Sequence, residues 1–233
     1  MTDGASVRLP GEDPAYRTAR NALLEAERDL RRRIDRVAKL RRALPPGGPL
    51  KEDYAFLEAS PRRETGPTRF SALFEPGKDS LVIYGFMYAE GGSPCPMCSA
   101  FLDSLDGAAP HIGQSVNLAV VAKASPKELR DWAARRGWRN LRLLSSSGSG
   151  YNADYLAENA RGDQLPILNV FRKTGAGIRH SYATELFFQP TEQGQNPRHV
   201  DLLWPLWNLL DLTPEGRGDW YPSLDYEASG AAR

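Results

Sequence analysis

The chain has 233 residues, of which 41% are hydrophobic and 25% are charged, and its formal net charge is +1. This balance is typical of a globular protein, and the near-zero charge excludes an overall attraction to nucleic acid or to an anionic membrane. Two cysteines are too few for a disulfide-rich scaffold.

Neither a membrane anchor nor a secretion signal is predicted. The longest strongly apolar run, 202–210, is far shorter than the roughly 20 residues that a membrane-spanning helix needs. The first 20 residues lack the apolar segment of a secretory signal. We therefore expect a soluble, cytoplasmic protein with no membrane partner and no nucleic-acid partner.

The N-terminal part of the chain predicts one long helix. Residues 1–13 are small and polar and are expected to be disordered. Apolar residues then recur every three or four positions, which predicts a helix from about Ala15 to Ala43. The Pro-Gly segment PPGGP ends this helix, so that helix and linker together occupy 14–49.

This helix is basic, with ten Lys or Arg against four Asp or Glu between Arg17 and Arg42. Such a charge pattern occurs in helices that bind nucleic acid or membrane surfaces. No aromatic residues are interleaved for stacking on bases, so we interpret it as the solvated face of a helix that packs or pairs. A homodimer through this helix is one such arrangement.

An α/β domain is predicted over 50–220, followed by a flexible tail at 221–233. Apolar strands alternate with helices, and a hairpin and a last helix follow, which predicts a mixed β-sheet flanked by helices. In chain order the segments are SLVIYGFMY (strand, 80–88), PMCSAFLDSLDGAA (helix, 96–109), SVNLAVVAKA (strand, 115–124), SPKELRDWAARRG (helix, 125–137), LPILNVFRKTGAGIRHSYAT (hairpin, 165–184) and a helix around 197–214 that Pro205 should kink or delay.

Both cysteines lie in the motif Cys95-Pro96-Met97-Cys98 at the start of a predicted helix. Proline favours the first helical position, which places Cys95 at the N-cap and Cys98 one turn into the helix. Backbone N–H groups and the helix dipole favour a thiolate at the N-cap. We therefore predict a redox pair in which Cys95 attacks and Cys98 resolves the mixed disulfide.

Two other interpretations of the motif stay open: two inert buried cysteines, or half of a metal site. A zinc site would need two further ligands, and the chain has only His111, His180 and His199 and no second C-x-x-C motif. We therefore predict no metal and no other cofactor.

Pro166 stands at the head of an apolar strand, where proline can take the cis form and turn the chain. With the strand, C-x-x-C motif and helix upstream, this pattern resembles the thioredoxin superfamily, in which a cis-proline loop faces the cysteines and presents backbone to the substrate. The resemblance implies a substrate-binding role for Pro166, for Leu165 before it and for Pro96 between the cysteines. The alternative is an ordinary trans proline.

A more specific set of motifs extends from Ala15 to Trp220: RRALP after the basic helix, LVIYGFMY, CPMCSAFLDSLDGAAPHI, GWRNLRLLSS, HSYAT and LLDLTPEGRGDW. In this order they resemble the bacterial family catalogued as domain of unknown function 899, described as predicted dithiol-disulfide oxidoreductases of thioredoxin-like fold. The resemblance implies a thioredoxin-like domain over 50–220, a protein or small-molecule thiol or disulfide substrate, and an external reductant.

The sequence departs from ordinary thioredoxins at two places. Pro94 stands where a tryptophan precedes the first cysteine, and the strand 80–88 has no acidic residue to serve as the buried proton acceptor. The hydroxyl of Tyr84 is therefore a candidate proton carrier. His180, in a motif that resembles the family's His-Thr-Tyr-Ser, is a second candidate, although a surface histidine at a strand end fits the pattern equally well.

Two other functions compete with thiol-disulfide exchange. A thioredoxin-like peroxide reductase would share the fold, but that class usually has a threonine three residues before its reactive cysteine, and Gly92 holds that place. A non-catalytic binding or redox-sensing module would use the long basic helix to recruit partners.

Overall fold

The computed structural model describes residues 8–193, 203–215, 218–219 and 221–226. The chain divides into two compact units, Met1–Pro45 and Pro46–Arg233. The boundary falls inside the predicted Pro-Gly linker.

The first unit contains helix α1, Pro14–Arg42, whose ends lie within one residue of the prediction. Asp13 is its N-cap and accepts a hydrogen bond from the Tyr16 backbone N–H at 2.7 Å, with proline at the first helical position. Glu12, in the segment predicted to be disordered, accepts from the Leu9 N–H at 3.0 Å and pairs with Arg17. Residues 1–7 of that prediction lie outside the described residues.

The described part of the second unit is built on one mixed sheet. Its strands are β1 (Ala55–Glu58), β2 (Pro67–Arg69), β3 (Ser80–Gly85), β4 (Asn117–Ala122), β5 (Leu143–Ser145), β6 (Ile167–Thr174) and β7 (Gly177–Ala183). Their order is β2-β1-β5-β4-β3-β6-β7. The central strands β3, β4 and β5 are parallel, and the remaining pairs are antiparallel.

Four helices follow α1 in the described ranges: α2 (Pro96–Ile112), α3 (Pro126–Arg136), α4 (Tyr151–Asp154) and α5 (Pro205–Leu210). Short 3₁₀ turns occur at Phe70–Leu73 and Glu185–Phe188. No helix within these ranges has both the length and the apolar character to span a bilayer. The mixed sheet flanked by helices, together with the long N-terminal helix, is a thioredoxin-like α/β architecture, as predicted.

The sheet separates two hydrophobic cores, because successive side chains of a strand point to opposite faces. We call the first the dithiol face, which contains Tyr84 of β3, Val120 of β4 and Cys98 of α2. We call the second the tyrosine face, which contains Ile83, Val121, Phe171 and a group of aromatic rings that pack edge to face. Each catalytic candidate can therefore be assigned to one face.

The predicted linker is part of the sheet edge. The Gly47 N–H donates to the His180 carbonyl at 3.1 Å, and the Leu50 N–H donates to the Ile178 carbonyl at 2.8 Å. A Cβ atom at Gly47 would stand 2.6 Å from the His180 oxygen, so only glycine permits this approach. The Pro-Gly composition thus serves a close backbone contact as well as ending a helix.

Helix α2 continues past the predicted end and includes Pro110. Proline has no N–H for the carbonyl four residues earlier, which belongs to Asp106. That carbonyl instead accepts a hydrogen bond from the Asn140 side-chain amide at 3.1 Å. The tertiary contact therefore offsets the bond that Pro110 removes, and the helix runs on to Ile112.

The described residues also test the predicted bounds of helices α3 and α5. Helix α3 has a capping box of Ser125 and Glu128 and ends at Gly137, the last residue of the predicted segment, with φ of +75°. Helix α5 starts at Pro205, as the position of that proline predicts, while residues 197–202 of the predicted helix lie outside the described residues.

The predicted C-terminal tail is described only over residues 221–226. The Leu224 carbonyl accepts a hydrogen bond from Arg136 at 2.5 Å, and Asp225 pairs with Arg135 at 2.7 Å. This part of the segment therefore contacts α3, and residues 227–233 lie outside the described residues.

Candidate active site

The cysteine motif sits in the loop that joins β3 to α2. Beyond β3, the Phe86 N–H still bonds to the Val121 carbonyl at 2.9 Å, which extends the strand toward the motif. The Cys95 N–H then donates to the Met87 carbonyl at 3.0 Å, so the loop returns to the point where it left the sheet. Between these contacts, the Gly91 N–H donates to a carboxylate oxygen of Glu128 at 2.7 Å.

Cys95 is the N-cap of α2, with Pro96 at the first helical position, as predicted. Its Sγ accepts a hydrogen bond from the Cys98 backbone N–H at 3.4 Å. The Cys98 thiol, together with the N–H groups of Cys98 and Met97, lowers the pKa of Cys95 to about 6, although partial burial opposes the shift. Cys95 is half-buried, so its sulfur combines access with thiolate character at neutral pH.

Cys98 has the opposite character. Its side chain is fully buried, and the hydrogen bond to the Cys95 sulfur, followed by burial, raises its pKa well above its usual range. At neutral pH the pair therefore holds one proton, which stays on Cys98, and Cys95 carries the negative charge. A buried thiol beside a half-buried thiolate is the arrangement that an attacking and a resolving cysteine require.

Tyr84 contacts the buried member of this pair. Its side chain is fully buried on the dithiol face, and its hydroxyl is hydrogen-bonded to Cys98. The ring packs edge-on against Phe101 of α2, with centroids 4.9 Å apart. Burial, and then the charge that Cys98 carries when it is ionised, raise the pKa of Tyr84 well above its usual range, so the phenol stays protonated.

Comparison with known proteins identifies the family of this chain. A family model described as "Bacterial protein of unknown function (DUF899)" matches residues 8–228. The chain belongs to this family. A search of curated proteins found no match.

Three solved structures illustrate what this DUF899 chain is similar to. The Enterococcus faecalis AhpC structure has a TM-score of 0.47 at 12% identity and covers 76% of this chain and 98% of its own. Plasmodium yoelii thioredoxin peroxidase I has a TM-score of 0.46 at 17% identity, covering 79% and 100%. The reduced Plasmodium vivax 2-Cys peroxiredoxin has a TM-score of 0.45 at 12% identity, and the match covers 68% of this chain and 90% of that protein.

Pro166 lies at the same end of the sheet as the dithiol, because Ile167 pairs with Gly85, the last residue of β3. Its peptide bond to Leu165 is trans, so the predicted cis form is wrong. The Leu165 N–H donates to the Ala157 carbonyl at 2.8 Å, and β6 begins two residues later. The alternative interpretation, an ordinary trans proline at the head of the strand, is the one that the structure has. The substrate-binding roles of Leu165, Pro166 and Pro96 stay predictions.

His180 lies on the tyrosine face, away from the dithiol. It pairs with Phe171 across β6 and β7, so the two side chains point to the same face. Its Nε2 hydrogen-bonds to Asn169 at 2.9 Å, and its ring stacks on Tyr155 with centroids 5.8 Å apart. Burial lowers the pKa of His180. The expectation that His180 serves the cysteine pocket is therefore wrong, because the sheet separates them.

Two contributors to the site are absent from the sequence prediction. Glu128 caps α3 through its bond to Ser125, and its carboxylate also accepts from the Gly91 N–H; these bonds lower its pKa. The Met87 backbone N–H donates to the Cys98 sulfur. Neither contact has a local sequence signal, because each joins segments that meet only in the folded chain. The described residues contain no cluster of three or more His, Cys, Asp or Glu side chains arranged as metal ligands.

Proposed function

We propose that the chain is a thiol-disulfide oxidoreductase that uses Cys95 and Cys98 as its redox couple. The observation that carries this proposal is the opposite shift of the two thiol pKa values, with Cys95 at about 6 and Cys98 well above its usual range. Two inert buried cysteines give no reason to expect such a difference in pKa. An attacking and a resolving cysteine require it, because only a thiolate attacks a disulfide.

The reaction proceeds in two exchanges. The Cys95 thiolate attacks one sulfur of the substrate disulfide, forms a mixed disulfide and expels the other sulfur as a thiolate. Cys98 then loses its proton, attacks Cys95 Sγ and expels the second substrate thiolate. The substrate gains two electrons and the dithiol becomes a disulfide, which an external thiol reductant reduces again.

The proposal gives the flanking prolines a role in binding. Pro96 is exposed beside Cys95, and Pro166 ends the segment that enters β6 at the dithiol end of the sheet. The backbone around Leu165 and Pro166 would align a protein or small-molecule disulfide beside Cys95. Such a couple suits a reducing compartment such as the cytoplasm, where thiols are maintained.

Trapping of the mixed disulfide tests the proposal. Cys98→Ser should hold a substrate such as insulin in a stable mixed disulfide on Cys95, because the resolving thiol is missing. Cys95→Ser should form none, and each variant should lose more than about 100-fold in insulin reduction, since half of the couple is absent. Mass spectrometry of the trapped adduct identifies the attacking sulfur.

Three outcomes would count against the proposal. Insulin reduction by Cys95→Ser at the rate of the unaltered chain would mean that Cys95 is not the nucleophile. Rapid consumption of hydrogen peroxide with slow insulin reduction would favour the peroxide reductase. Full biological activity of Cys95→Ser would instead favour a binding or sensing module.

A further inference from the structure

We propose that Tyr84 is a catalytic residue of the second exchange, in which its hydroxyl donates a hydrogen bond to Cys98 Sγ and stabilises the buried thiolate. The inference rests on the proposed dithiol chemistry and adds the group that makes Cys98 competent to attack.

The need for such a group follows from the burial of Cys98. Its sulfur is fully excluded from water, so no solvent molecule can stabilise a charge there. The resolving step nevertheless requires a thiolate at this position. Strand β3 runs Ser-Leu-Val-Ile-Tyr-Gly and offers no carboxylate to remove the proton.

The geometry supplies two hydrogen-bond donors instead. The Tyr84 hydroxyl and the Met87 N–H both bond to the Cys98 sulfur. Phe101, three residues after Cys98 on the same helix, packs against the tyrosine ring at 4.9 Å and holds it in place. Tyr84 is also fully buried, so water does not compete for its hydroxyl. These donors are fixed before the charge forms, which is how electrostatic preorganisation lowers a barrier.

Tyr84 acts as a donor and does not take the proton. Burial holds its pKa well above its usual range, so the phenol keeps its proton and remains a hydrogen-bond donor. The Cys98 proton instead passes to the substrate thiolate that left in the first exchange or, where that thiolate is a weak base such as an aromatic thiolate, to bulk solvent. Cys98 S⁻ then forms the bond to Cys95 Sγ, and the bond between Cys95 and the substrate breaks. Where the substrate takes the proton, the products are one intramolecular disulfide, one substrate thiol and one substrate thiolate, which balances the single proton and single negative charge of the starting dithiol.

The aromatic disulfide dithiobis(nitrobenzoate) tests this role, because it releases a coloured thiolate at each of the two exchanges. Tyr84→Phe should leave the first release at its normal rate and slow the second roughly tenfold or more, the size expected for a hydrogen bond to a charged group. The pH midpoint of the second release should rise. Tyr88→Phe removes the hydroxyl of another buried tyrosine on the dithiol face and should change neither phase.

Replacing Tyr84 by 3-fluorotyrosine provides a test that does not depend on the stability of Tyr84→Phe. The ring and hydroxyl are kept, and the more acidic phenol is a stronger donor, so the second release should become faster. Equal second-phase rates and pH midpoints in the unaltered chain, Tyr84→Phe and the fluorinated protein would overturn the inference alone. Absence of a second release in the unaltered chain would overturn both the inference and the proposed function.

Discussion

Cys95 and Cys98 are the same side chain in two environments, and the difference decides their chemistry. At the N-cap, Cys95 receives hydrogen bonds from the Cys98 thiol and from backbone N–H groups. One turn further, Cys98 is excluded from water and faces the charge of its neighbour. The asymmetry therefore comes from one helical turn and the depth at which that turn is buried.

The acidity of Cys95 can be measured directly by alkylation. Because the pKa of Cys95 is lowered to about 6, its thiolate should persist above that pH, and alkylation by iodoacetamide should reach half its maximal rate near pH 6. In Cys98→Ala the largest stabilising hydrogen bond is lost, so the midpoint should move toward the ordinary range near 8.5. A midpoint near 8.5 in the unaltered chain would contradict the assignment.

The buried carboxylate of Asp106 illustrates how a single residue fixes a loop. It accepts hydrogen bonds from the backbone N–H groups of Arg139, Asn140 and Leu141 at 2.9, 2.7 and 3.1 Å. Asp106→Ala should lower the free energy of unfolding by about 3 kcal/mol, because these donors lose their acceptor.

Urea denaturation would measure the effect of Asp106→Ala. Asp131→Ala is the matched control, because its carboxylate is exposed and pairs with Lys127 on the same helix. That change should alter stability very little. Equal effects of the two substitutions on the free energy of unfolding would show that the Asp106 hydrogen bonds do not stabilise the fold.

At the scale of elements, α2 carries the site and its two ends follow different rules. Its start is set locally by Cys95 and Pro96, which cap and open the helix. Its last turn is set by tertiary contact, since Asn140 bonds to the carbonyl that Pro110 leaves free. The dithiol therefore lies at the N-terminal end of α2, which the neighbouring residues specify without tertiary contacts.

Two glycine substitutions should have opposite signs. Gly107 lies exposed inside α2 with no atom within 4 Å of an added Cβ, so Gly107→Ala should stabilise the chain by about 0.5–1 kcal/mol. Gly137 ends α3 with φ of +75°, so Gly137→Ala should destabilise it by about 1–2 kcal/mol. Thermal unfolding of both variants tests this, and a shift of the same sign would contradict the helix assignments.

At the scale of the whole molecule, the division at Pro45 and Pro46 separates α1 from the unit that carries the dithiol. The Gly47 and Leu50 backbone bonds belong to the second unit, so its functional start lies at Pro46. We propose that α1 pairs with a second copy of itself through its exposed apolar residues at helical spacing, among them Leu23, Leu30, Ile34 and Val37.

A chain that begins at Pro46 tests both statements. It should fold, keep the alkylation midpoint of Cys95 and have the mass of a monomer by light scattering, whereas the full chain should have the mass of a dimer. A chain that begins at Lys51 is a matched control that lacks the edge contacts of Gly47 and Leu50 and should be less stable. Identical oligomeric states for the full chain and the Pro46 chain would contradict pairing through α1.

The sequence by itself determined the features that depend on neighbouring residues. The N-cap position of Cys95, the capping box at Ser125 and the αL end at Gly137 each follow from residues within one helical turn. The alternation of apolar strands and helices was equally readable, because a buried sheet needs it.

Only the tertiary structure decided which side chains meet. It placed Tyr84 against Cys98, moved His180 to the opposite face and kept the peptide before Pro166 trans. These outcomes depend on strand register and on partners far along the chain, and a shift of one residue in register exchanges the two faces of a strand. The dithiol can therefore be predicted from a few adjacent residues. The position of Tyr84 beside the buried sulfur depends on the packing of β3 against α2.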